Sequence, residues 1–190
     1  MAFWGEQLGQ GSRDPKRKFR FKVEIGDLGS GIVWYAKSVT KPELSVPTVT
    51  EHKFMGHTFK FPGSVSWNEI ECTLVDPVDE DAAKKTLEIL KAAGYVYPDG
   101  GYIDENNAYA MTTISKAKAV AALQKFVIYQ LDANNKVVEK WELHNAFLTK
   151  VGFTELSYDS EDLSEISLTI NYDWATFTDA EGNSDLFNGQ

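Results

Sequence analysis

The side chains that could do chemistry are few and scattered. The histidines are His52, His57 and His144, the single cysteine is Cys72, and the best-placed carboxylate pair is Glu69 with Glu71. No two histidines stand four apart on a helical pattern, and the three cannot join one cysteine in a set with metal-ligand spacing. A nucleophilic thiol needs a base marked out for it. Cys72 sits between Ile70 and Leu74 and reads as a buried, inert thiol. The glycines at 26, 29, 31, 56 and 63 are not followed by the Lys and Ser or Thr of a phosphate loop opening a helix. Glu69 and Glu71 lie two residues apart on one strand face, a spacing open to general acid–base work, but with no cleft marked around them they read as a solvated face. The expectation is a non-enzyme with no metal and no cofactor.

The element that would position such carboxylates is a strand, and the clearest one runs from Leu163 to Trp174. Ile166, Leu168, Ile170, Tyr172 and Trp174 alternate with Glu165, Ser167, Thr169, Asn171 and Asp173. That period of two is the pattern of a sheet with one buried and one wet face. The run from Trp67 to Val75 repeats it, with Glu69, Glu71 and Thr73 outward. A wet, acidic sheet surface without a catalytic constellation points to the sheet itself as the working part.

Composition bounds the rest. A chain of 190 residues with 43% apolar and 13% aromatic content can build one core without disulfides, and a lone cysteine suits a reducing compartment. No apolar run approaches the roughly 20 residues of a membrane span, and no signal-peptide core is seen, so the chain is expected to stay in the cytoplasm or leave within an assembly. The net charge of −9 argues against a general grip on nucleic acid. Its distribution is uneven. Arg13, Lys16, Arg17, Lys18, Arg20 and Lys22 cluster near the front, whereas nine acids and no Lys or Arg follow Lys150. The basic cluster reads as a solvated strand face with an arm, as an intersubunit contact, or as a nucleic-acid contact.

Residues 1–16 form an arm rich in Gly and Gln with Phe3 and Trp4 as its aromatics, residues 17–175 the domain, and residues 176–190 a flexible tail. Phe19 to Ile25 is a strand expected to pair as a hairpin with the run from Ile32 to Thr40. Two strands flank Met55-Gly56-His57. Asp76-Pro77-Val78-Asp79 opens a helix closed by Gly94, with Asp76 as N-cap and Ala83, Leu87 and Leu90, flanked by Ile89 and Ala93, as packing stripe. Residues 95–112 form a long irregular loop, and a short helix fits residues 115–122. Strands at 123–132 and 136–143 flank the turn Ala133-Asn134-Asn135, and another follows at 147–153.

Two blocks carry a resemblance. Phe54-Met55-Gly56-His57-Thr58-Phe59-Lys60-Phe61-Pro62-Gly63, followed by Trp67 to Asp76 and the helix, resembles the tail tube protein family of contractile-tailed bacteriophages. So does Leu148-Thr149-Lys150-Val151-Gly152 with Glu155 to Ser160 and Ile166 to Trp174. Phe21 to Ile25 and Ala36 to Pro42 extend the likeness over most of residues 19–174. The loop 95–112 and the tail are longer than the pattern and take no role from it.

The resemblance implies a mainly β fold, a two-sheet sandwich or β-barrel with one flanking helix. Six copies would form a ring, the inner strands joining into one large barrel. Stacked rings would make a tube inside a sheath, in the virion and, during assembly, in the host cytoplasm. The partners implied are further copies of the chain, the sheath, baseplate and tail terminator proteins, with DNA passing through the lumen unbound. Polarity then assigns Glu69, Glu71, Glu165 and Asp173 to the lumen, because an acidic wall repels a polyanion. Phe54, Met55, Phe59 and Phe61 are expected at an assembly contact, as apolar side chains on a hairpin that cannot bury them itself. Phe3 and Trp4 would anchor the arm on an adjacent subunit, with Arg13, Lys16 and Arg17 steering it. Alternatives are a tube of a phage-derived injection or secretion machine, and a monomeric barrel holding a small apolar ligand.

Overall fold

A computed structural model describes residues 15–26, 36–78, 82–96 and 113–182, with the side chains of residues 48 and 49 excepted. Phe3, Trp4, Arg13, most of the loop 95–112 and the residues after 182 lie outside it. The strands are β1 (Phe21–Ile25), β2 (Ala36–Val39), β3 (Leu44–Ser45), β4 (Thr48–Phe54), β5 (His57–Pro62), β6 (Ser66–Trp67) and β7 (Ile70–Val75). Helices α1 (Ala82–Ala92) and α2 (Lys116–Leu123) precede β8 (Phe126–Leu131), β9 (Val137–His144), β10 (Phe147–Phe153), β11 (Glu165–Asn171) and β12 (Trp174–Asp179). Two four-stranded antiparallel sheets result, ordered β1-β8-β9-β12 and β10-β11-β7-β2. Their inward phases meet in one core: Val23, Ile25, Phe126 and Ile128 from the first sheet, and Ile70, Cys72, Leu74, Ile166, Leu168 and Ile170 from the second. Side chains of the two sheets thus fill the space between them, as in a two-sheet sandwich.

Three sequence expectations about the strands are corrected. Strand β1 pairs with β8 and β2 with β7, so the expected front hairpin is split between the two sheets. Alternation fixes which face a strand buries and leaves its partner open. The single strand from 163 to 174 is two. At Tyr172 and Asp173 the chain crosses from one sheet to the other, with the Asp173 N–H donating to the His144 carbonyl at 3.0 Å. Residues 176–179 belong to β12, because Phe177 packs on Trp141 with ring centroids 5.0 Å apart, so the tail begins later than residue 176.

The helix α1 buries Ala82 and Thr86, with Ile89 beside them and Ala93 buried just past its end, and leaves Leu87 on the surface. Apolar residues occupy both faces of this helix, and Thr86 is accommodated inside by donating its hydroxyl to the Ala82 carbonyl at 2.8 Å. The helix opens later than expected, at Ala82, so Asp76 is not its N-cap, although Asp76 Oδ1 accepts from the Ala82 N–H at 3.0 Å. After α1 the chain reverses at Gly94, whose φ of +108° and whose position 2.8 Å from the Thr113 carbonyl, measured from where a Cβ would stand, leave room for glycine alone. The helices pack beside β10 and close one flank of the sandwich.

Candidate functional site

Strands β2 and β7 do not stop at the edge of the sandwich. Beyond them the same two chain segments pair as β3 with β6 and then as β4 with β5, all antiparallel. Between these ladders the Thr40 N–H donates to the Glu71 carbonyl at 2.9 Å, the Asn68 N–H to the Glu43 carbonyl at 3.0 Å and the Gly63 N–H to the Pro47 carbonyl at 2.6 Å. Residues 36–54 and 57–75 therefore form one ribbon that leaves the body and turns at Met55-Gly56. Both turn residues have positive φ, 50° and 80°, as a tight hairpin matched to the strand twist requires. The outer ribbon is exposed along β5, and Phe54 (65%), Met55 (84%), Phe59 and Phe61 show their side chains to solvent. An isolated two-stranded hairpin is marginal in water and gains nothing from such residues until something covers them.

The outward face of β10-β11-β7-β2 carries the polar phase read from the sequence. Glu71 pairs in register with Thr169, Thr73 with Ser167, and Glu165 stands opposite Val75. Ser38 and Lys150 extend the face on the edge strands. It is polar with mixed charge. Lys37 reaches Glu165 in an ion pair, and Lys150 adds a second cation. Glu69 precedes β7, exposed and in the same phase as Glu71. Asp173 is elsewhere: it sits at the crossover, held by Lys116 of α2 at 2.7 Å and by Asn145 at 2.8 Å. These two donors, Lys116 first, lower its pKa. The strand alternation was read through a point where the chain changes sheets.

The histidines stand apart. His52 and His57 lie on the exposed ribbon, whereas His144 bonds Thr176 Oγ1 at 2.6 Å and stacks on Trp174. Among the described residues no group of three or more His, Cys, Asp or Glu is placed to hold a metal. Cys72 is buried in the core, where burial pushes its thiol up to about 12.

One charged cluster had no sequence signal. Glu139 is buried at 5% exposure, the inward position of a strand that also carries Trp141 and Leu143 inward. Lys16 and Lys41 both donate to its carboxylate, and Trp141 Nε1 donates at 2.7 Å. Burial would raise its pKa, but these three donors prevail and hold it at about 2. Lys16, read as a steering residue of the arm, is thus engaged within its own chain. Beside it Arg17 and Arg20 offer their carbonyls to Gln130 Nε2 at 2.7 and 2.8 Å. A buried inward carboxylate whose partners are 98 and 123 residues away cannot be found by local pattern.

No protein-family model matches the sequence, and no curated protein matches it. Solved structures do. The fold is similar to a chain of the sheath-tube complex of PVC, an extracellular contractile injection system, in its extended state, at a TM-score of 0.55 and 18% identity over 88% of this chain and 93% of that one. It is similar to a chain of the PVC sheath/tube terminator at 0.55 and 19%, over 88% and 99% of the two chains. The tube-terminating cap of the anti-feeding prophage gives 0.56 and 18%, over 94% and 99%. This chain has the tail tube fold. In the tail tube fold as this sequence builds it, the open sheet face and the projecting ribbon are both left outside the core.

Proposed function

We propose that the chain is a structural tube subunit of a contractile machine, assembling as hexameric rings stacked into a hollow tube within a sheath, with terminator and baseplate proteins at its ends. The observation that carries this reading is the likeness over 88–94% of the chain to components of sheath-tube and tube-terminator assemblies. Two features described above support it. The face of β10-β11-β7-β2, with Glu69, Glu71 and Glu165, lines the lumen. A hydrated wall with its cations neutralised or sparse lets a polyanion pass without binding. Asp173 is outside that face and takes no part in it. The ribbon carrying Phe54, Met55, Phe59 and Phe61 is the assembly element. The arm with Phe3, Trp4 and Arg13 reaches an adjacent subunit, Arg17 near its base, while Lys16 fixes its root to Glu139.

A tube in a virion tail and a tube in an injection machine both fit, the similar structures being parts of an extracellular contractile injection system and of the anti-feeding prophage. Negative-stain imaging of the purified protein tests the reading. Rings or hollow tubes with six subunits around are expected, and a strictly monomeric protein at all concentrations refutes it.

A further inference from the structure

The ribbon beyond the sandwich has two unlike faces. Directly opposed residues of an antiparallel pair share a side, and the register sets Phe54 opposite His57, His52 opposite Phe59 and Thr50 opposite Phe61. One face therefore carries three phenylalanines and two histidines, with His52 meeting Phe61 edge-on at a centroid distance of 6.0 Å. All five rings are exposed. The other face is polar: Lys60 pairs with Glu51 at 3.3 Å, and Lys53 makes no ion pair among the described residues. A bare aromatic face on a two-stranded ribbon is a costly surface to leave in water.

A matching surface stands at the opposite end of the same strands. Strand β7 leaves the ribbon at Ile70 and ends at Val75 opposite Glu165, where the β10–β11 loop, residues 154–164, closes that end of the sheet. Thr154 Oγ1 accepts from the Glu165 N–H at 3.0 Å and pins the base of the loop. Ser157 Oγ accepts from the Asp159 N–H and Ser160 Oγ from the Asp162 N–H, each at 3.2 Å. Held in this way, the loop wraps an open cleft of about 590 Å³ with Leu156, Tyr158 and Leu163 in its lining. All three are exposed, Leu156 at 86%. The loop carries four acids and no Lys or Arg, and Glu155, Asp159 and Glu161 make no ion pair among the described residues.

We infer that the ribbon tip of one copy seats in the β10–β11 cleft of the next copy along the strand direction, Phe54 and Met55 against Leu156, Tyr158 and Leu163. The occupant is a second copy of this chain. Apolar surface meets apolar surface, and Lys53, the unpaired charge of the tip, meets a loop whose charges are all acidic. The chain's own ribbon points away from its own cleft, because the two lie at opposite ends of β7. Tip and cleft are different surfaces, so the contact is heterologous and repeats head to tail. That repeat advances along the strands, which makes it a contact between stacked rings and not one around a ring. The inference rests on the tube reading and assigns the ring-to-ring contact within it.

Two variants of the full chain test it. Leu156→Asp with Tyr158→Asp should leave circular dichroism unchanged, since both side chains are exposed. It should still give single rings in negative stain, while the protein concentration needed for tubes, read by sedimentation, rises at least tenfold. Met55→Cys with Tyr158→Cys, assembled and treated with a short bismaleimide, should give a ladder of linked chains on a denaturing gel. Either substitution alone should give dimers at most, and the buried Cys72 should not react. Tubes of the aspartate variant at the wild-type concentration, loss of its rings together with its tubes, or tubes whose paired cysteines yield no ladder would overturn the contact while the tube reading stands. If wild type forms nothing larger than a monomer, the tube reading fails and this contact with it.

Discussion

Replacing Glu139 with Gln removes the one buried carboxylate that ties both the root of the arm, through Lys16, and the base of the ribbon, through Lys41, to the first sheet. Holding this carboxyl at about 2 instead of near 4.5 corresponds to about 3 kcal/mol of folding free energy. The lysines keep 51% and 43% of their side-chain surface in water, and solvent screening brings the expected loss in E139Q to about 2 kcal/mol at pH 7. The sign of the pH dependence follows from the lowered value. The carboxylate stabilises the fold fully above the pKa it has in the unfolded chain, and that contribution disappears as pH falls through about 2. The stability gap between wild type and E139Q should therefore be constant between about pH 7 and pH 6, and should close towards about pH 2. Urea unfolding followed by tryptophan fluorescence, below the assembly concentration, measures the gap as a shift in midpoint at constant slope. A gap under about 0.5 kcal/mol at pH 7 would show that the cluster is worth no more than a surface ion pair, and one equally large at about pH 2.5 would show that the loss does not come from the carboxylate's charge.

Phe54→Asp with Met55→Asp should leave folding stability within about 0.5 kcal/mol, since both side chains are exposed, while abolishing tubes in negative stain. Gly94→Ala should cost at least 1–2 kcal/mol in thermal or urea unfolding, about the strain of placing a Cβ at positive φ against the Thr113 carbonyl. Glu69→Lys with Glu71→Lys should give intact tubes that deliver a polyanionic cargo more slowly; unchanged delivery would move the lumen to another face. Removing residues 1–13 should raise the concentration needed for polymerisation, and added salt should do the same to the intact protein, as sedimentation would read.

What could be read from the sequence was whatever depends on period alone. Ile70-Cys72-Leu74 and Ile166-Leu168-Ile170 face the core as their alternation required, and the ribbon around Met55-Gly56 and the turn at Asn134-Asn135 fall where local turn chemistry puts them. Partner choice was not legible, because β1 buries Val23 and Ile25 equally well whichever strand lies beside it. The crossover at Tyr172-Asp173 was hidden for a related reason. Tyr172 is still inward in the core, but Ala175 and not Trp174 is the next buried residue, so the phase slips without any glycine or proline to mark it. The assignment of Asp173 to the sheet face failed on that one-residue slip. In α1 the apolar residues do not choose a single side, and the buried Thr86 competes with the exposed Leu87. The polar sheet face was foreseeable in position but not in charge, because Lys37 lies more than a hundred residues from the Glu165 it neutralises.

The ribbon has a mechanical meaning as well. Its two strands run without changing partners from Ala36 opposite Leu74 in the sandwich to Phe54 opposite His57 at the tip. A force applied along the tip is thus directed parallel to the strands, and it loads the cross-strand hydrogen bonds side by side in shear. Peeling them one at a time would need a force across the ribbon. Load of the first kind passes along the ribbon straight into β7, which lies between β11 and β2 and carries Ile70, Cys72 and Leu74 into the core.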